Sequence, residues 1–308
     1  MLKKLIQFNH ASFLGLVLSV FLLQAVRSHN PALGAQVGTE PLRVIMVGAH
    51  PDDAEFKGGG TAALWVAAGA RVQFVAVANG DCGHQSQGGG ALARRRAAES
   101  RRSAEILGVS WITLDIHDGE IMPSLDAREA VMRAIRNWRA DIVISHRTND
   151  YHPDHRYTGQ LVQDVAYMAA VPNLCPDTPR LEKNPVFMYF LDNFKKPNPF
   201  TADVAVIIDP VMDKKWRSLD AMESQMYEWL PWVAGNLDKV PEGRAARFEW
   251  LKKEREGAFA QWKNSGLDIL VERYGKTGAG KAKFVECFEL CEYGRRPNRE
   301  ELWKMFPK

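Results

Sequence analysis

The chain has 308 residues, 46% hydrophobic and 25% charged, with 24 glycines and 16 prolines. Those are ordinary values for a large globular domain whose core needs no disulfide staples. A net charge of +3 is too small to argue for nucleic acid or an anionic membrane as partner.

Residues 1–35 stand apart. Two lysines in "MLKKLIQFNH" precede the apolar run "ASFLGLVLSVFLLQAV", and small residues follow in "NPALGA". That layout predicts a secretory signal peptide and export to the periplasm or cell exterior. An uncleaved membrane anchor is the alternative, because the run approaches the roughly 18 residues of a spanning helix. Residues 36–308 are expected to form a single domain with a C-terminal extension. Export permits disulfides, but Cys82, Cys175, Cys287 and Cys291 define no framework and no C-x-x-C zinc spacing. Most of them read as small buried residues.

"LRVIMVGA" (42–49) is short, β-branched and continuously apolar, as in a strand buried on both faces. "GGTAALWVAAGA" follows with helical composition. Next come strand "RVQFVAVAN", an arginine-rich helix from about Ala91 to Leu107, and strand "WITLDI". Helix "DAREAVMRAIRNWRA", strand "DIVISH" and a helix from about Asp154 to Ala170 continue the alternation. Residues 171–185, with four prolines, predict an irregular loop, as does "LPWVAGNLDKVPEG". Between these loops are strands "FMYFLD" and "DVAVIID" and a helix near 211–228, and after them a helix near 243–262 and a last strand "AKFVECFELCEY" before a polar tail. The βα rhythm predicts an α/β fold with a mostly parallel sheet covered by helices.

The segments after the first four strands are "HPDDAE", "NGDCGH", "HDGE" and "HRTNDYHPDH", and they contain six of the eight histidines. In an open parallel sheet these segments emerge at one edge, where such folds place ligands. His50 and Asp53 are three apart on a turn, and His152 and His155 repeat that spacing. Two histidines and a carboxylate around an open fourth position make the usual catalytic zinc site. The cation would let Asp52, Asp53 and Glu55 sit together ionised. Asp52, beside a ligand, suits a general base for water, and His152 suits the acid or carbonyl partner. Asp154 is placed to bond the His152 ring and raise its pKa. Either motif alone is weak; both, each directly after an apolar strand, point to a metal site.

"AHPDDAE" with a later "HPDH…G" resembles the PIG-L/LmbE family of zinc-dependent de-N-acetylases, over about Leu42 to Gly159. The likeness runs on more loosely to a "SQ" near residue 225, although Met222 stands where many relatives place a histidine. The resemblance implies a Rossmann-like three-layer fold. It implies zinc on His50, Asp53 and His155, Asp52 as base, and His152 as acid or oxyanion stabiliser oriented by Asp154. It also matches Arg96-x-x-Glu99 to a family pattern whose arginine meets substrate. Against that stands a solvated basic helix face. His84 and His117 read as polar loop residues.

The expected function is removal of acetyl from an N-acetylated sugar or glycoconjugate, with no nucleic-acid partner and a homo-oligomer left open. The alternatives are an amide hydrolase on a non-sugar substrate and a non-catalytic metal-containing sugar-binding protein. Fe(II) also suits two histidines and a carboxylate, as in a non-haem oxygenase.

Overall fold

The computed structural model describes residues 40–308; the signal peptide or anchor expected over residues 1–35 lies outside them. The first half alternates strictly: β1 (Arg43–Gly48), α1 (Asp53–Ala67), β2 (Arg71–Ala78), α2 (Gly89–Leu107), β3 (Ser110–Ile116), α3 (Leu125–Trp138), β4 (Ile142–Ser145) and α4 (Pro153–Met168). The second half is irregular, with β5 (Val186–Phe190), β6 (Val204–Ile207), α5 (Met212–Asp220), a π-helix (Ser224–Trp229) and α6 (Leu230–Val233). It ends in α7 (Arg244–Gln261), α8 (Leu267–Lys281), β7 (Val285–Gly294) and α9 (Arg299–Met305).

The seven strands form one sheet in the order β3-β2-β1-β4-β5-β7-β6. Strands β1 to β5 pair in parallel, and β7 runs antiparallel between β5 and β6. The alternation of β1 explains the layers. Val44 and Met46 face one core cluster with Ala62 and Trp65 of α1. Ile45 and Val47 face the other, with Ile135 of α3 and Leu161 of α4. Burial on both faces is why the strand reads as unbroken apolar sequence. The expected α/β class and helix-covered, mostly parallel sheet are therefore present.

Differences gather in the second half. The helix expected near 211–228 is broken after Asp220 and resumes as the π-helix. The loop expected over 230–243 contains α6 and a 3₁₀ turn at Leu237–Lys239. Helix α8 was not predicted, because glycines dilute its pattern; Gly275, at φ 73° and ψ 164°, kinks it. The polar tail holds α9, closed by an Asn298/Glu301 capping box. Of the cysteines, Cys175, Cys287 and Cys291 are buried and all four are free thiols.

In this sheet order the chain leaves β1 to one side for β2 and later returns to its other side for β4. The crevice beyond the carboxyl ends of β1 and β4 is thus the topological switch point, where ligands bind in such sheets.

Candidate metal centre and active-site cavity

The turn from β1 into α1 carries His50, Pro51 and Asp52. Gly48 is required beneath it, since a Cβ there would stand 2.7 Å from Asp53 Cβ. Asp53 opens α1, and its Oδ2 accepts from the His50 backbone N–H at 2.8 Å. Across the switch point, His146 follows the end of β4, and His152 caps α4 by accepting from the Asp154 N–H on its Nδ1 at 3.2 Å. Gly159 lets α4 approach: a Cβ would meet the His146 carbonyl at 2.7 Å. That contact gives a steric reason for the glycine downstream of "HPDH".

The two turns bring His50, Asp53 and His155 together, with ligand atoms all within 4.8 Å of one another. His50 Nδ1 lies 3.2 Å from His155 Nε2. Asp53 oxygens lie 3.7 Å from His50 Nδ1 and 3.5 Å from His155 Nε2. Each imidazole has a carboxylate behind it. His50 Nε2 is 3.1 Å from both Asp118 and Asp154, and His155 Nδ1 is 3.1 Å from Asp150. These partners assign the ring hydrogens to the rear nitrogens, which leaves the front lone pairs facing each other. A shared proton, or a metal cation in its place, is what lets the two nitrogens stand that close. A tetrahedral ion with bonds of roughly 2.0–2.1 Å would hold its ligands roughly 3.3–3.4 Å apart, so the set fits a divalent cation.

The electrostatics are strongly perturbed. Burial opposes charge on His50, but hydrogen bonds to Asp118 and Asp154 and the charge of Asp53 lift it to about 10. Burial would also raise Asp53, yet the His155 and His146 imidazoles hold it well below the usual carboxylate range. For Asp52, burial and then the charge of Asp53 outweigh the opposing charges of Arg96, His50 and His155 and push it up to about 7. Its carboxylate makes no hydrogen bond among the described residues. Its backbone sits at φ 144°, a strain on the order of 1–3 kcal/mol for a residue with a side chain.

Several expectations need correction. Asp154 does not orient His152 through its side chain. Its Oδ2 takes the Gly119 N–H at 2.7 Å and faces His50. The backbone N–H of Asp154, not its carboxylate, fixes the His152 ring. Nor is His152 raised: burial and the neighbouring His50 and His155 push it down. Glu55 is not among the cavity residues, and burial lifts it to about 8, so it is protonated at neutral pH.

Arg96 is the one arginine of its helix segment that is buried. Its Nη2 donates to the Gly83 carbonyl and, at 3.0 Å, to Gln225 Oε1, while its Nε has no partner. Three residues on, Glu99 accepts from the Ser224 N–H and hydroxyl. The Arg-x-x-Glu and Ser-Gln patterns thus meet. Met222 is buried in the core. His84 bonds Glu228 at 2.7 Å and exposed His117 bonds Asp81 at 2.7 Å, and neither lines the cavity.

Three contributors were not singled out from sequence: Asp118, Asp150 and His146. The last stacks on His155 with ring centroids 4.2 Å apart, and its Nε2 lies 3.2 Å from Asp53. The available signal was chemical: ligating histidines need carboxylates behind them, and acids stood in the segments after β3 and β4. His50, Asp52, Asp53, Asp118, Asp150 and His155 line a cavity of about 530 Å³, together with Phe194, Trp229, Trp262 and Arg255.

Residues 45–166 match the PIG-L family, described as GlcNAc-PI de-N-acetylase. Diacetylchitobiose deacetylase of Thermococcus kodakarensis is 32% identical over 203 residues, covering 62% of this chain and 73% of that protein. 4-Oxalmesaconate hydratase of Pseudomonas putida is 25% identical over 201 residues, covering 63% and 78%. In fold, N,N'-diacetylchitobiose deacetylase from Pyrococcus horikoshii matches with a TM-score of 0.62 at 22% identity, over 82% of this chain and 84% of that one.

Proposed function

Because this chain belongs to the PIG-L, or GlcNAc-PI de-N-acetylase, family, we propose that it is a zinc-dependent hydrolase that removes the acetyl group from the nitrogen of an N-acetylated sugar. The observation that carries this reading is the His50/Asp53/His155 set with the unpartnered Asp52 beside it in one cavity. His50, Asp53 and His155 would hold the ion, which supplies Lewis acidity toward the amide carbonyl and acidifies water.

The remaining steps belong to side chains. Asp52, poised near neutrality, accepts a proton from the attacking water. Water oxygen bonds to the acetyl carbon, and negative charge develops on the carbonyl oxygen. His152 is neutral and accepts on Nδ1, so its hydrogen is on Nε2, which makes no bond among the described residues. It suits donation of a hydrogen bond to that oxyanion rather than delivery of a proton. Asp52 then passes its proton to the nitrogen as the C–N bond breaks, leaving acetate and a free amine. Arg96, which lines the cavity, would offer its guanidinium to sugar hydroxyls. The aromatic wall offers flat apolar faces to a pyranose.

Asp52→Asn is expected to keep its zinc and lower acetate release from N-acetylglucosamine and its oligomers by roughly 10²–10⁴-fold. Undiminished turnover in that variant refutes the assigned base. Zinc-loaded protein that frees no acetate from any N-acetylated sugar refutes the activity. Because a hydratase stands among the relatives, acetate release and not substrate loss is the readout.

A further inference from the structure

We propose that this protein has a second ligand site, separate from the metal centre, for a small anion with at least two negative charges, a phosphate ester or a polycarboxylate. The inference is independent of the deacetylase reading. The site is a cavity of about 870 Å³ lined by α2, α5, the π-helix and the start of α7. It shares no residue with the cavity that holds His50 and Asp52. The π-helix serves both, with Tyr227 lining the one and Gln225 and Trp229 the other. Three of the four arginines in this second cavity lie outside the segment that matches the family.

Arg102 of α2, Arg217 of α5, and Arg244 and Arg247 of α7 line the cavity, against two carboxylates, Asp220 and Glu223. Arg217 is paired with Asp213, outside the lining, at 2.8 Å. Asp220 accepts the Tyr227 hydroxyl at 2.5 Å. Arg247 gives its Nε to the Pro241 carbonyl at 3.2 Å and lies 5.7 Å from the Tyr227 ring centroid, which leaves both Nη groups free. Arg102 and Arg244 have no hydrogen bond and no ion pair among the described residues. Nor does any of these three arginines pair with Asp220 or Glu223, although all line one hollow. The flanking carboxylates do not fill the gap either. Glu249 pairs with Lys252 at 2.6 Å, and exposed Glu105 and Glu242 meet none of the three among the described residues.

A lone surface arginine is satisfied by water and points to nothing. Three guanidiniums around one hollow are a different case, because like charges repel and apolar walls strengthen the field between them. Ile106, Ala221 and Phe248 supply such walls. Each guanidinium stays ionised and presents a planar fork that fits the paired oxygens of a phosphate or carboxylate. A singly charged ion satisfies one fork. Bridging arginines carried by two helices, α2 and α7, takes an anion with more than one charged oxygen group. Asp220 and Glu223 oppose it, so the affinity should be modest.

The test is calorimetric titration of the zinc-loaded protein with pyrophosphate and with tricarballylate, at low and at physiological salt. Wild-type protein should bind at least one of them with a Kd of about 1 mM or below, and added salt should weaken the binding. The two probes say whether phosphate or carboxylate is meant. The double variant Arg244→Gln with Arg247→Gln should raise Kd about tenfold or more. Arg102→Gln should raise it too, and circular dichroism checks that each variant is folded. Arg94→Gln, at an exposed position of α2 outside the cavity, should leave Kd within about twofold. No binding of either probe, or a Kd unchanged in the cavity variants, overturns the proposal. An equal loss in Arg94→Gln would mean diffuse surface charge and overturns it as well. So does binding that survives the cavity variants and vanishes when the metal is removed, because the anion is then on the metal.

Discussion

The two halves of the chain both line one cavity, and they contribute different chemistry to it. Residues 43–168 contribute His50, Asp52, Asp53, Asp118, His152 and His155, nearly all the groups that titrate or ligate. Residues 186–308 contribute aromatic and aliphatic side chains, the amides of Asn193 and Gln225, one carboxylate already clamped by Arg147, and Arg255. The family match covers only the first half. The reacting groups sit on a regular βα scaffold whose strand ends are fixed by parallel register. The groups that would meet the rest of a substrate sit on irregular α and π segments. Two buried arginines repeat the contrast. Arg136, deep in the first half, is saturated by six carbonyls. Arg96, at the seam, keeps an unpartnered Nε.

The comparison breaks most directly at the joint between the halves. Glu286 of β7 accepts the Gly60 and Thr61 N–H groups of α1 at 2.9 and 2.7 Å and pairs with Lys215 at 2.6 Å. Lys215 also donates to the Phe56 carbonyl at 2.7 Å, and both side chains are fully buried. The second half thus holds the very helix that presents Asp53. Removing one partner leaves a buried charge alone, so Lys215→Met should destabilise by about 3–5 kcal/mol. Lys215→Met with Glu286→Leu should recover part of that loss. Denaturant unfolding measures both. A single variant within about 1 kcal/mol of wild type would mean that water reaches the pair.

Next in size is a change confined to the first half. Asp150 touches His155 from behind and lies outside the His50/Asp53/His155 set. Asp150→Asn should weaken divalent-ion affinity by roughly 10–100-fold, read from competition with a chelator. Acetate release should fall at limiting metal and recover at saturating metal. A loss that saturating metal does not repair would place Asp150 in the reaction instead.

That residue also shows how much the sequence disclosed. The strand "LRVIMVGA" and the motifs "HPDD" and "HPDH" were legible because each is local: burial on both faces writes a continuous apolar run, and a turn writes its own spacing. Asp118 and Asp150 were not, because their roles exist only once β3 and β4 are arranged around β1. Asp154 was misread for a related reason. Proximity in sequence suggested His152, whereas the fold turns its carboxylate toward His50, from another strand. Helix α8 was missed because its glycines erase the periodicity that packing does not require there.

The smallest expected effect lies on the seam itself. Glu228 of the π-helix accepts from Arg95 at 2.7 and 2.6 Å and lies 2.7 Å from His84 Nε2. It ties the loop after β2 to the second half. Hydrogen bonds from Arg95, and then from His84, hold its carboxyl below the ordinary glutamate range despite partial burial. A carboxyl lowered by folding adds stability that is fully present above its unfolded pKa, about 4.3. That contribution disappears as the pH falls through the folded value. The side chain is partly solvated, so screening limits the clasp to under about 1 kcal/mol. Glu228→Gln should therefore be slightly less stable than wild type at pH 7, and the two unfolding free energies should converge below about pH 4. A gap that stays constant into acid would show that the clasp works through shape and neutral hydrogen bonds, and the seam would then owe nothing to charge.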